Sequence, residues 1–203
     1  MSYATAKLFA WLQRADFYQA LHLQAVEQLP MGNGTLWLDI GCGPGLVARL
    51  AASRGYRAMG ADSDPHMIRA ARRIAARNVS LASFTVDPLD ELVEKNLQAD
   101  VVSAASFLAV LKDKVNGLGS LAKCVRPGGK LLVIEPTRHM HLQAANELIK
   151  KGVATKGANA LRLWAYARQG RAVDVNIVES LGARHVKFMP LLNGLVCAWL
   201  IQL

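Results

Sequence analysis

Along residues 5–29, Leu8, Trp11, Leu12, Tyr18, Leu21, Val26 and Leu29 recur near the spacing of an amphipathic helix. Asp16 stands where it would cap a second segment, so the stretch reads as one helix or two. "LPMGNG" then breaks it with a proline and two glycines. Beyond that point short apolar runs alternate with helical spacings. "TLWLDI" (35–40), "YRAMGAD" (56–62), "VSLASFTV" (79–86), "ADVVSAAS" (99–106) and "KLLVIEP" (130–136) read as strands. The segments between them read as helices. "GLVARLAASRG" closes on Gly55, and "SDPHMIRAARRIAAR" has Asp64 at its N-cap and Pro65 at the first helical position. "PLDELVEKN" is short, and "KVNGLGSLAKCV" is weakened by its glycines before it stops at "RPGG".

Strands separated by helical segments imply crossover connections and a mainly parallel sheet. After Pro136 the spacing turns helical from 140 to 181, interrupted by glycines. "ARHVKFMPL" and "GLVCAWLIQL" then face each other across a tight "LNG" turn, which makes them antiparallel neighbours. The expected fold is α/β: a doubly wound, mainly parallel seven-stranded sheet with helices on both faces and an antiparallel C-terminal strand. One domain is expected, with residues 1–34 as a helical cover, 35–137 as the ligand-binding core, and 138–203 as a helical insertion followed by the strand pair.

Composition narrows the class. The 203 residues are 52% hydrophobic and 19% charged, the balance of a soluble globular chain. Arg14 and Asp16 interrupt the first apolar run, so no signal-peptide layout is read there, and "GLVCAWLI" is too short to span a bilayer as a helix. Cys42, Cys124 and Cys197 are scattered, which suits reduced thiols in a cytoplasmic protein and neither a disulfide framework nor a metal site. The net charge of +9 gathers in two places. Arg69, Arg73 and Arg77 repeat along one helix. The 138–171 stretch carries Lys150, Lys151, Lys156, Arg162 and Arg168 against Glu147 as its sole acid. Each is either a solvated face or a surface that draws an anionic acceptor, RNA or lipid head groups.

The candidate chemistry centres on "LDIGCGPG", where Gly41, Gly43 and Gly45 follow a strand and precede a helix. In an open parallel sheet, ligands bind beyond the carboxyl ends of the strands where the strand order reverses. A dinucleotide site wants G-x-G-x-x-G, but the sixth position here is Leu46. A phosphate loop wants a lysine after its last glycine, and none follows. The pattern suits a ligand with a compact zwitterionic end and no phosphate.

This stretch resembles the first motif of the class I, Rossmann-like S-adenosylmethionine-dependent methyltransferases, particularly their small-molecule branch. "GADSDPHMI" is similar to that family's second-strand motif, "DVVSAASFL" to its fourth strand, and "VRPGGKLLVIEP" to its turn and fifth strand. The likeness covers residues 35–137 and is one of topology alone outside them. It implies S-adenosyl-L-methionine as cofactor and S-adenosyl-L-homocysteine as product. By that likeness Asp39 would organise the amino group of the methionine portion, and Gly41, Cys42, Gly43 and Gly45 would form the cofactor loop, with Cys42 a small space-filler rather than a nucleophile. Asp62 would accept both ribose hydroxyls, with Ser63 in the position that relatives often give to an apolar residue against the adenine. Asp87 would meet the adenine amino group or merely cap a loop. Ser103 and Ala104 would line the amino-acid portion.

For the acceptor side, His139 and His141 follow the fifth strand and either could serve as a general base, or both are surface residues at a helix start. Glu135 ends that strand and could orient a substrate. Tyr18, His22, Trp164 and Tyr166 either line the acceptor pocket or pack the core. The motifs that name a nucleic-acid acceptor are missing: "SAASFLA" stands where amino-methylating relatives carry Asn or Asp followed by Pro-Pro-Tyr, and Cys124 lies in "KCVRPGG" rather than in a Pro-Cys pair. A small-molecule partner is expected and nucleic acid is not, with peripheral membrane contact left open. The alternatives are a basic RNA- or lipid-directed methyltransferase, a non-catalytic cofactor-binding protein, and a nucleotide-dependent oxidoreductase.

Overall fold

The computed structural model describes residues 3–183 and 185–203. The N-terminal stretch is two helices, α1 (Tyr3–Leu12) and α2 (Asp16–Val26). Ala15 rather than Asp16 occupies the N-cap of α2, and Asp16 sits in its first turn, where an acid still faces the positive end of the helix. Strands and helices then alternate: β1 (Leu36–Ile40), α3 (Leu46–Ser53), β2 (Arg57–Asp62), α4 (Pro65–Arg77), β3 (Ser83–Val86), α5 (Leu89–Glu94), β4 (Ala99–Ala105), α6 (Lys114–Lys123) and β5 (Val125–Pro136). Asp64 caps α4 as expected, its carboxylate accepting the His66 amide at 2.9 Å with Pro65 next.

Three boundaries differ from the expectation. β3 begins at Ser83 rather than at residue 79. "RPGG" does not precede the fifth strand, which begins at Val125 and runs through it. Gly128 holds φ of 76° there, and its N–H donates to the Leu203 carbonyl, so the chain bends without leaving the sheet. The helical stretch after Pro136 divides into α7 (Leu142–Lys150), α8 (Ala158–Arg168) and α9 (Val175–Glu179).

The last strands, β6 (His185–Leu191) and β7 (Val196–Gln202), form the expected antiparallel pair. The seven strands lie in the order β3-β2-β1-β4-β5-β7-β6, parallel except where β7 runs against both of its neighbours. The order reverses at β1, which pairs with β2 on one side and β4 on the other. This is the crevice where an open α/β sheet receives its ligand.

Side chains alternate across β1. Trp37 joins the core formed with α2, α3 and α8, while Leu38 and Ile40 join the core formed with α6 and α9. A third cluster of Ile68, Ala71, Ala75 and Phe84 seats α4 against the sheet and encloses Cys42. The helices thus cover both faces, and the carboxyl ends of β1, β2, β4 and β5 remain for chemistry.

Candidate cofactor and acceptor site

The loop after β1 has three glycines with three different duties. All hold left-handed backbone, with φ of 65° at Gly41, 51° at Gly43 and 81° at Gly45. A side chain on Gly41 would run into the Phe107 ring, and one on Gly45 into Phe84. Those two positions are kept bare by the protein's own packing. A Cβ on Gly43 would meet only Gln13 Nε2, at 3.9 Å. Gly43 alone faces open space, so the cradle for a ligand lies there. Cys42 turns inward, with its sulfur packed toward the cluster around Phe84, as a space-filler would.

Asp62, at the end of β2, ties this loop down. One carboxylate oxygen accepts the Gly43 amide and the other the Asp64 amide, each at 2.9 Å. The side chain is 8% exposed and burial raises its pKa. Each carboxylate oxygen can accept a second hydrogen bond, so capacity for a diol remains. Ser63 beside it is exposed.

Asp39 lies deeper. Register pairs it with Ser103, whose hydroxyl donates to it at 2.7 Å and accepts from the Trp37 indole at 2.8 Å. Burial pushes the Asp39 carboxyl up to about 7, against the Ser103 hydroxyl and the Ala48 amide of α3, which favour its charged form. Ser103 and Ala104 are fully enclosed, so in this arrangement Ser103 acts through Asp39 rather than by lining a ligand cavity. The partly open positions come just after them, at Ala105, Ser106 and Phe107.

Asp87 is also occupied within the protein. Thr85 donates to one oxygen at 2.5 Å and Lys95 to the other at 2.6 Å, and these bonds hold its carboxyl below the usual range. The pair caps its loop, and each oxygen keeps a second acceptor position that an adenine amino group could use.

Glu135 departs furthest from its expected role. It is completely buried; Oε1 accepts the Phe107 and Leu108 amides at 2.9 and 2.7 Å, and Oε2 the Ala109 amide at 3.2 Å. Burial pushes its carboxyl up to about 8 despite those three donors. It holds the segment that lays Phe107 against Gly41, and no face of it is open to orient a substrate.

The histidines separate. His141 is the N-cap of α7, its Nδ1 accepting the Ala144 amide at 3.2 Å. Protonating that nitrogen would cost the cap. His139 is exposed, and its ring makes no hydrogen bond among the described residues. His22 is buried with Nδ1 2.7 Å from the Tyr18 carbonyl, and burial lowers its pKa to about 4. Its ring lies 4.3 Å from that of Tyr18, which in turn lies 4.8 Å from Trp164. Tyr166, 72% exposed, stands apart from this group.

Three participants carried no sequence signal. Gln13, in the turn just past α1, reaches the Gly43 cradle with its Oε1 buried and unpaired, and His66 Nδ1 is likewise enclosed without a partner. Arg168 is buried beside Phe9, although it reads as one more cation in a basic run. The glycine loop could be read from spacing; contacts arriving from a separate helix could not.

Comparison with known proteins agrees with this geometry. The model of a family described as a methyltransferase domain matches residues 38–131. The ubiquinone biosynthesis O-methyltransferase of Coxiella burnetii is 25% identical over 127 residues, covering 60% of this chain and 54% of that protein. The chain therefore spans about half the length of that curated relative. Among solved structures, the plantazolicin methyltransferase BpumL in complex with SAH superimposes with a TM-score of 0.67 at 14% identity, covering 97% of this chain and 89% of that one. The mitomycin 7-O-methyltransferase MmcR superimposes with a TM-score of 0.64 at 19% identity, covering 91% and 53%. Among the described residues no helix is long and apolar enough to cross a membrane. Residues 38–131 match the methyltransferase-domain family model, and the fold is the Rossmann-like one of these solved methyltransferases.

Proposed function

We propose that the chain transfers the methyl group of S-adenosyl-L-methionine to a small-molecule acceptor. The observation that carries this reading is the pairing of Gly43 with Asp62. An open cradle and a carboxylate with spare acceptor capacity are locked together by one hydrogen bond at the strand-order reversal. When bound, S-adenosyl-L-methionine supplies a methyl carbon whose bond to a positively charged sulfur breaks as the acceptor's lone pair attaches, leaving S-adenosyl-L-homocysteine.

The protein's own contribution is placement and exclusion of water. Asp62 accepts from the ribose hydroxyls while keeping the Gly43 and Asp64 amides. Gly41, Gly43 and the adjoining backbone pass beside the amino-acid end, with Asp39 and Ser103 bracing them from below. Gln13 and His66 offer unpaired polar atoms at the rim. Glu135 is a positioning residue for the wall formed by Phe107. Where the acceptor must lose a proton, His139 is the better base of the two histidines, because His141 is committed to its helix cap.

A small acceptor fits a site that Gln13, in the turn after α1, borders. It also fits relatives whose names specify ubiquinone biosynthesis and mitomycin O-methylation. The exposed Lys150, Lys151 and Lys156 form a solvated face away from the enclosed groups. The test follows S-adenosyl-L-homocysteine release on addition of a low-mass metabolite fraction, total RNA or anionic vesicles. Release with the low-mass fraction is expected; release only with RNA or vesicles would replace this reading with a polymer- or lipid-directed one.

A further inference from the structure

Near Glu135, at the carboxyl end of β5, lies a buried cation without a bonded counter-ion. Arg168 is 8% exposed, its Nε is enclosed with no acceptor, and among the described residues it makes no hydrogen bond and no ion pair. A guanidinium stays charged at any ordinary pH, and an unpaired buried charge is costly. Burial disfavours its charge; Tyr18 and Glu135 favour it and Arg171 opposes it, but none of the three is bonded to it, and the Glu135 oxygens accept three backbone amides.

The surroundings are aromatic and rich in donors. The Phe9 ring centroid lies 5.8 Å from the guanidinium carbon. Trp164, one turn earlier on α8, is 3% exposed, and its indole N–H also lacks an acceptor. The Tyr18 ring packs against Trp164, and Phe9 stands one turn before Gln13, whose side chain reaches the Gly43 cradle. A fork of guanidinium donors and a lone indole donor among aromatic rings complement a flat group that only accepts. A carboxylate meets that description, since its two oxygens match the guanidinium fork. A phosphate would bring a second charge, and among the described residues no second buried cation stands here to meet it.

We propose that Arg168 and Trp164, walled by Tyr18 and Phe9, bind the carboxylate of a small aromatic acid, and that such an acid is the acceptor class of this site. The acceptor role rests on the methyltransferase reading; the anion site does not. Phe9 belongs to α1, so the acid enters by displacing that helix from Arg168.

The test is calorimetry on the S-adenosyl-L-homocysteine-loaded protein with 2-naphthoate and benzoate as probes and 2-naphthamide as the neutral control. At least one carboxylate is expected to bind, and the amide to bind about tenfold more weakly or worse. Arg168→Met should lower carboxylate affinity by roughly ten- to a hundredfold and leave S-adenosyl-L-homocysteine affinity unchanged. Arg168→Lys, with charge but no fork, should fall between. Without ligand, Arg168→Met should melt at or above the wild-type temperature, because an apolar chain replaces an unpaired charge. Equal binding of acid and amide, no binding of either carboxylate, unchanged carboxylate affinity in Arg168→Met, or a variant that melts lower or fails to fold would each overturn the proposal. Wild-type protein that ignores S-adenosyl-L-homocysteine would overturn the methyltransferase reading instead, and the carboxylate titration of the unloaded protein would still decide the anion site.

Discussion

Replacing Glu135 separates a positioning acid from a catalytic one. In Glu135→Gln the side-chain oxygen can keep the Phe107 and Leu108 amides, which share Oε1, while the new amide group faces the Ala109 N–H across the longest of the three bonds. The loss is one hydrogen bond plus a donor–donor contact, about 1–2 kcal/mol. Glu135→Ala leaves all three amides without a partner and opens a cavity, about 3–5 kcal/mol once the segment relaxes. For a domain of this size each kcal/mol lowers the melting temperature by roughly 2–4 °C, so the expected drops are about 2–8 °C for Gln and 6–20 °C for Ala. The pH dependence has a definite sign. Because burial raises the folded pKa to about 8 from the ordinary 4.5, the contribution is fully present at pH 4 and is lost as pH rises through 8. Glu135→Gln should flatten that fall, leaving the smaller part due to Asp39, raised to about 7. Thermal melts from pH 4.5 to 9, paired with turnover measurements, make the comparison. Glu135→Gln should keep most of its activity. A variant that melts like wild type but has lost turnover would refute the positioning role.

Three further outcomes follow from the site. Gly43→Val should abolish S-adenosyl-L-homocysteine binding, since a branched residue is strained at φ of 51° and its side chain would fill the cradle; normal calorimetric binding by a folded variant would move the ligand off this loop. Reversing Lys150, Lys151 and Lys156 to glutamate should leave turnover and retention on anionic vesicles unchanged, and a salt-dependent loss of retention would instead reveal a functional basic surface. His139→Ala should slow transfer to an acceptor that must be deprotonated by roughly ten- to a thousandfold with melting temperature unchanged; a full rate from His139→Ala would leave proton removal to solvent.

The architecture was open to reading because it depends on patterns that repeat locally. The apolar runs, the Asp64–Pro65 start of α4 and the "LNG" turn each specify their element through nearest-neighbour chemistry. The glycine loop was legible as a ligand site for the same reason, although only Gly43 of its three glycines faces open space. What the sequence hid depends on depth and on distant contacts. Glu135 and Ser103 occupy strand ends where acceptor- or cofactor-facing groups are expected. Whether such a side chain points outward or folds onto a neighbouring backbone is decided by segments far along the chain: residues 107–109 for Glu135, and Asp39 for Ser103. Arg168 shows the same limit. In a basic run it cannot be told from Lys150 or Lys156 until α8 packs under α1 and leaves it the buried member.

The central claim is that the Gly43–Asp62 cradle holds S-adenosyl-L-methionine. Calorimetric titration of wild-type protein and Asp62→Asn with S-adenosyl-L-homocysteine and with NAD tests it most directly. The asparagine keeps the shape but sets an amide group against either the Gly43 or the Asp64 N–H and removes the charge proposed to receive the ribose. The account predicts saturable binding of S-adenosyl-L-homocysteine to wild type, none of NAD, and a loss of roughly ten- to a hundredfold in Asp62→Asn. Tighter binding of NAD, or equal S-adenosyl-L-homocysteine affinity in wild type and variant, would contradict it.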